Sequence, residues 1–257
     1  MAKTKELFPG EGFRELIDAG VFYGRKKSKV CPKMRPYILM NRGGIEIINL
    51  AKTLEGMTKV ETFVKEKIQA GGSALFVATQ PPAIDAMTMA KEFGFPYVQN
   101  RWVGGTLTNF KVILRRIEEF KKLRGDLASG ALEKYTKKER LMIERDVKRL
   151  DELLGGLENL IRLPTMLIVI DSEVNATAVR EARKIGIPVV AFSSVDADPD
   201  DVDVLVVGNT KARQSVNWFL SRIKLSIEEG KRTAVVEKST TTAQATDVAS
   251  ATPTLIA

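Results

Sequence analysis

The chain has no histidine, one cysteine among 257 residues, and no apolar run near the roughly 18 residues that a membrane span needs. Each absence removes a class of function. Without imidazole there is no Ser-His-Asp triad, no histidine general base and no histidine metal ligand. Cys31 has no histidine to activate it as a nucleophile and no second thiol for a disulfide, and a lone cysteine suits a reducing compartment. The opening MAKTKELFPGEG lacks the apolar core of a secretory signal, so a soluble, cytoplasmic protein is expected. The usual phosphate cradles are missing too: there is neither G-x-G-x-x-G after the first sheet strand nor G-x-x-x-x-G-K-[ST] anywhere.

What is present is apolar enough for a real core and biased toward positive charge. Hydrophobic residues make up 44%, and 40 Lys and Arg against 32 Asp and Glu give a formal charge of +8. Such a balance favours a polyanionic partner. The excess is local: 11 basic against 5 acidic residues in 1–52, 19 against 15 in 53–163, and 10 against 12 in 164–257. Within the first stretch, Arg25, Lys26, Lys27, Lys29, Lys33 and Arg35 crowd around Tyr23 and Tyr37. Pro32 and Pro36 bias this stretch toward an ordered, extended loop.

The period of the apolar residues supplies the architecture. FRELIDA (13–19) predicts a short helix, and YILMNRGGIEIINL predicts a β-hairpin turning at Arg42, Gly43 and Gly44. Leu54, Met57, Val60, Val64 and Ile68 mark an amphipathic helix. Beyond it, SALFVAT, PYVQ, TMLIVID, PVVAFSS and VDVLVVG alternate with helices at about 82–93, 175–185 and 212–229. That alternation predicts βαβ units and a five-stranded parallel, doubly wound sheet of the flavodoxin-like α/β class.

The stretch Pro96–Leu123 joins the second strand, through Arg101, Trp102 and the Gly104–Gly105 turn, to a long basic helix that Thr106 or Thr108 could cap. Phe110, Ile113, Ile117, Phe120 and Leu123 fall on one face of that helix. Ile143, Val147, Leu150, Leu154 and Leu157 fall on one face of a second helix beginning near Lys137. Together they predict an inserted antiparallel coiled-coil hairpin. The expected organisation is a discontinuous α/β domain over 1–105 and 158–230 with a basic amino-terminal extension, a helical hairpin over 106–157, and a disordered tail over 231–257. The tail is inferred from its Thr, Ala and Ser content.

Catalytic material is scarce. Asp171 ends one strand, and Asp196, Asp198, Asp200, Asp201 and Asp203 follow another; such oxygens suit hard cations. DADPDD also reads as a turn in which Asp side chains bond their own backbone around Pro199, and that reading is preferred. An enzyme or nucleotide binder with Asp171 and Asp198 near a metal is therefore the runner-up. RNA binding fits better: Arg101 is read as an ionic contact and Trp102 as packing between arm and sheet.

Several stretches together resemble the bacterial small-subunit ribosomal protein S-two family: NRGGIEIINLAKT (41–53), ALFVAT (74–79), FPYVQNRWVGGTLTNFKVI (95–113), VREARKIGIPVVA (179–191) and DADPDDVDVLVVGN (196–209), in order and spacing. The resemblance spans about 12–228 and implies a non-enzymatic constituent of the small (30S) subunit that binds 16S ribosomal RNA. It further implies other small-subunit proteins, among them ribosomal protein S-one, as partners. No metal and no cofactor is expected.

The chain departs from the family pattern at three places. GVFYGR stands for G-V-H-F-G-H, which leaves no imidazole for zinc at this end. ATQPPA stands for G-T-K-K-Q-A, and NTKA for N-D-D-A. The residues expected to meet RNA are Arg25, Lys26, Lys27, Lys29, Lys33, Arg35 and Arg42, with Arg101 and the arm's Lys111, Arg115 and Arg116 in addition. A third possibility is an adaptor that docks proteins through the arm.

Overall fold

A computed structural model describes residues 13–131 and 135–249. Helix α1 (Arg14–Asp18) leads into a small antiparallel sheet of β1 (Tyr23–Lys26), β2 (Ile38–Arg42) and β3 (Ile45–Ile48), in the spatial order β1-β3-β2. Helix α2 (Leu50–Gln69) opens an alternation of β4 (Ala74–Val77), α3 (Asp85–Phe93) and β5 (Tyr97–Val98). After the helices α4 (Phe110–Ala128) and α5 (Lys137–Leu154) the alternation resumes with β6 (Met166–Ile170), α6 (Ala176–Ile185), β7 (Val189–Ser193), β8 (Val204–Val207) and α7 (Arg213–Ala249). Strands β4 to β8 are parallel and lie in the order β5-β4-β6-β7-β8. In chain order that is 2-1-3-4-5, the flavodoxin-like arrangement, and the topological switch point falls between β4 and β6.

The strands read as unbroken apolar runs because both faces are covered. Ala74 and Phe76 of β4, Met166, Ile168 and Ile170 of β6, and Val190 and Phe192 of β7 face one core, filled by α2, α3 and α7. Their neighbours Leu75, Val77, Leu167, Val169 and Val189 face the other, filled by α6, Trp102 and the roots of α4 and α5. Each large side chain buried in this way contributes about 1.5–3 kcal/mol.

Helix α2 buries Met57, Val60, Val64 and Ile68, as their spacing predicts. It also covers the edge of β8. The Thr53 hydroxyl donates to the Val207 carbonyl at 2.7 Å, and at Gly56 a Cβ would stand 2.5 Å from the Leu205 carbonyl oxygen.

The expected hairpin is β2–β3. Arg42 pairs with Ile45, and Gly43 and Gly44 take the positive φ values, 60° and 81°, that a tight primed turn needs. The basic stretch before it is more regular than the expected loop. Tyr23–Lys26 pairs with β3, and short 3₁₀ turns occupy Lys27–Lys29 and Pro32–Tyr37. The pairing of β1 across some twenty residues of chain leaves no local sequence signal.

Helix α5 starts with a capping box, in which the Thr136 hydroxyl accepts from Glu139 N–H and the Glu139 carboxylate accepts from Thr136 N–H. Helix α7 does not stop near Glu229 but runs to Ala249; after Gly230 no glycine or proline interrupts the chain until Pro253. Of the expected disordered tail, residues 250–257 lie outside the described residues. Among the described residues no helix is long and apolar enough to cross a membrane.

Candidate nucleic-acid interface

The small sheet sits against the carboxyl ends of β7 and β8. Met34, Ile48, Val195, Ala197 and Val207 pack as one cluster between them, and Cys31 N–H donates to the Val195 carbonyl at 2.9 Å. The sheet carries most of the amino-terminal positive charge, and the structure sorts that charge into two kinds. Lys26, Lys27, Lys29, Arg35 and Arg42 are exposed, and none has a carboxylate partner among the described residues. Exposed Tyr23, Leu39, Met40 and Ile45 lie among them. Arg25 and Lys33, by contrast, are engaged by acids from the far end of the chain.

Arg25 reaches into the switch-point crevice with its side chain 18% exposed. Its Nε donates to Asp196 Oδ2 at 2.8 Å, and its Nη2 donates to Asp171 Oδ2 at 3.4 Å and to Thr210 Oγ1 at 3.3 Å. Asp171 is fully buried, at the positive φ of 67° just beyond β6. Its Oδ2 also accepts from Gln80 Nε2 and from Thr210 Oγ1, each at 2.9 Å. Lys211 Nζ stands 3.9 Å away and donates to Gln80 Oε1.

Lys33 donates to both Asp198 and Asp200, which hold its ammonium above the ordinary lysine value. The acidic stretch behaves as a turn: Asp198 accepts from Asp200 N–H at 3.0 Å, Arg183 donates to Asp201 at 2.6 Å, and Asp203 accepts from Val189 N–H at 2.7 Å. Among the described residues no group of three or more His, Cys, Asp or Glu is placed to hold a metal ion.

The root of the helical pair is organised by a residue that sequence reasoning missed. Glu181, on α6, is buried; one of its oxygens accepts from the Trp102 indole at 2.9 Å and from Gly105 N–H at 2.8 Å. The other accepts from Leu107 N–H at 3.0 Å, Thr108 N–H at 3.2 Å and the Thr108 hydroxyl at 3.3 Å. Burial opposes its ionisation, but these donors outweigh burial and hold the carboxyl below its ordinary value.

Neither threonine caps α4, because Thr108 is taken by Glu181 and the Thr106 hydroxyl bonds back to the Val103 carbonyl. Trp102 is buried as packing, and Arg101 is exposed. Lys111, Arg115 and Arg116 are exposed on α4, with no acidic partner among the described residues. Ile113 and Ile117 of α4 and Leu154 of α5 enter the sheet's second core. Arg124 and Lys121 both bond Glu158. A lone glutamate in VREARK carries no pattern that would mark it. Arg25, Gln80, Thr210 and Lys211 were visible as residues but not as neighbours of Asp171.

The family model described as Ribosomal protein S2 matches residues 16–230. The chain is 39% identical over 230 residues to a Geotalea uraniireducens protein named small ribosomal subunit protein uS2, covering 89% of this chain and 90% of that one. It is 41% identical over 228 residues to the Thermus thermophilus protein of the same name, covering 88% of each. A Corynebacterium urealyticum protein of that name is 41% identical over 221 residues, covering 85% of this chain and 82% of its own.

Proposed function

We propose a function from one premise: the chain belongs to the ribosomal protein S2 family. It is a structural, non-enzymatic constituent of the small ribosomal subunit, acting in translation, and it resides with the ribosome in the cytoplasm. It binds 16S ribosomal RNA through the exposed cations of the small sheet, Lys26, Lys27, Lys29, Arg35 and Arg42. Arg101 adds a contact, as do Lys111, Arg115 and Arg116 of the arm, residues 106–157, which acts as a coiled-coil unit. Other small-subunit proteins are its neighbours, with ribosomal protein S-one a further candidate.

The observation that carries this reading is the pool of exposed cations that have no carboxylate partner among the described residues, beside an exposed tyrosine. Exposed charges of this kind are available to phosphate, and Lys and Arg contacts to phosphate give affinity without base specificity. Among the described residues the acidic groups of the runner-up reading are already engaged. At its switch point Asp171 is bonded by Arg25, Gln80 and Thr210, and Asp198 is bonded by Lys33. Sedimentation of a cell lysate tests the reading: the protein should travel with small subunits at low salt. Recovery only in the free soluble fraction overturns it.

A further inference from the structure

We propose that the switch-point crevice is an internal socket for a guanidinium, and that Arg25 is a positioning residue seated in it, not a phosphate ligand. The small sheet is thereby locked to the strand ends, and its remaining cations face outward in a fixed direction. This rests on the RNA-binding reading above and assigns Arg25 a different part in it.

Three observations support the socket. First, the Arg25 side chain is largely buried, and its Nε and Nη2 are both spent on Asp196, Asp171 and Thr210. Little of it is left to face a phosphate. Second, the acceptors are built for a cation. Asp171 is 1% exposed at its side chain and takes Gln80 and Thr210 as well, while Asp196 Oδ1 is buried with no hydrogen-bond partner among the described residues.

Third, Asp171 is surrounded by Arg25, Gln80, Thr210 and Lys211, which three separate segments of the chain bring together. They also bond one another: Arg25 donates to Thr210, and Lys211 donates to Gln80. Residues as far as 185 positions apart in the chain thus meet in one hydrogen-bonded unit. A buried carboxylate deprived of its cation is strongly unfavourable, so the unit holds together only as a whole.

The consequence concerns the neighbours of Arg25. Lys26 and Lys27 follow it directly, and Ile45, next to the Gly43–Gly44 turn, pairs with both Lys26 and Arg42. Fixing Arg25 fixes the direction of those three charges, so less ordering cost remains to be met when RNA arrives.

The test compares full-length Arg25→Ala and Lys27→Ala with the wild type for binding to 16S ribosomal RNA across a salt series. Amide exchange at Tyr23–Lys26 is measured in parallel. Losing a phosphate contact lowers the slope of log affinity against log salt by about 1. Lys27→Ala should show that loss with unchanged exchange. Arg25→Ala should weaken binding about tenfold at every salt, with the slope unchanged. Its β1 amides should exchange faster, and methylguanidinium at constant ionic strength should restore both protection and affinity, because it can refill the socket.

A slope lowered by about 1 in Arg25→Ala, or wild-type exchange at β1 in that variant, overturns the proposal. Failure of the wild type to bind the RNA overturns the functional reading instead. Exchange and its rescue by methylguanidinium then still decide the socket.

Discussion

Replacing Glu181 with glutamine changes one atom and should unfasten the root of the arm. The carboxylate accepts from four N–H groups and one hydroxyl, supplied by Trp102, Gly105, Leu107 and Thr108. An amide keeps one oxygen and points two donors at groups that are themselves donors. Two of the four N–H groups are then left without an acceptor, at about 1–3 kcal/mol each. The neutral amide escapes the desolvation of a buried charge, which returns part of that loss. The net expectation is about 3 kcal/mol of stability, and at about 2–4 °C per kcal/mol in a chain of this size the midpoint falls by about 6–12 °C. Scanning calorimetry at neutral pH measures it, and amide exchange at Gly105, Leu107 and Thr108 reports whether the loss is local. A midpoint within about 2 °C of wild type would refute the reasoning. So would a larger drop that left those three amides fully protected.

Acid tests the same group from the other side. The folded state holds Glu181 below its ordinary value of 4.5, so the unfolded chain takes up the proton first. The stabilisation is therefore whole above 4.5 and disappears as pH falls through the lower folded value. The gap between wild type and Glu181→Gln should be constant at higher pH and close on acidification below 4.5; a gap unchanged in strong acid contradicts this. At Gly156 a Cβ would lie well inside 3.0 Å of the Tyr97 carbonyl oxygen and ring, so Gly156→Ala should cost about 1–3 kcal/mol in urea unfolding. Gly125, within α4 and facing open space, is its control: Gly125→Ala should gain about 0.5–1 kcal/mol, and equal effects at the two sites would show that contact is not the cause. Phe219 is fully buried and stacks on Phe192 at 4.9 Å between ring centroids; Phe219→Ala should lose about 3–5 kcal/mol, and a loss under about 1 kcal/mol would mean that the core can collapse around the gap.

The parallel sheet was legible because its signals are local. ALFV and MLIVI are too uniformly apolar for a half-exposed strand and too short for a helix. Gly186 marks the end of α6 because only a residue tolerant of φ 75° lets Ile187 N–H reach back to the Ala182 carbonyl. What escaped reading was set by contacts between distant segments. Strand β1 forms because β3 offers it an edge, so its basic residues looked like a loop. Thr106 and Thr108 sit where a cap would be useful, and their hydroxyls are claimed by Val103 and Glu181 instead. The acidic turn was readable because Asp198 bonds its own near neighbour, a relation that sequence spacing preserves.

Charge shows the same division and bears most on function. A sequence count treats the seven basic residues from Arg25 to Arg42 alike, yet two of them, Arg25 and Lys33, are consumed by aspartates some 140 to 170 positions away. The mildly acidic carboxyl third is the reason. Its loops at the ends of β6 and β7 lie beneath the small sheet, where they pair with the largely buried Arg25 and, at the surface, with Lys33. Lys26, Lys27, Lys29, Arg35 and Arg42 have no carboxylate partner among the described residues, so net charge overstates the cations left unpaired. On the proposed function, binding to ribosomal RNA should respond to Lys26, Lys27, Lys29, Arg35 and Arg42 through its salt dependence. It should respond to Arg25 through order alone, because a charge already matched inside the fold has no counterion to release.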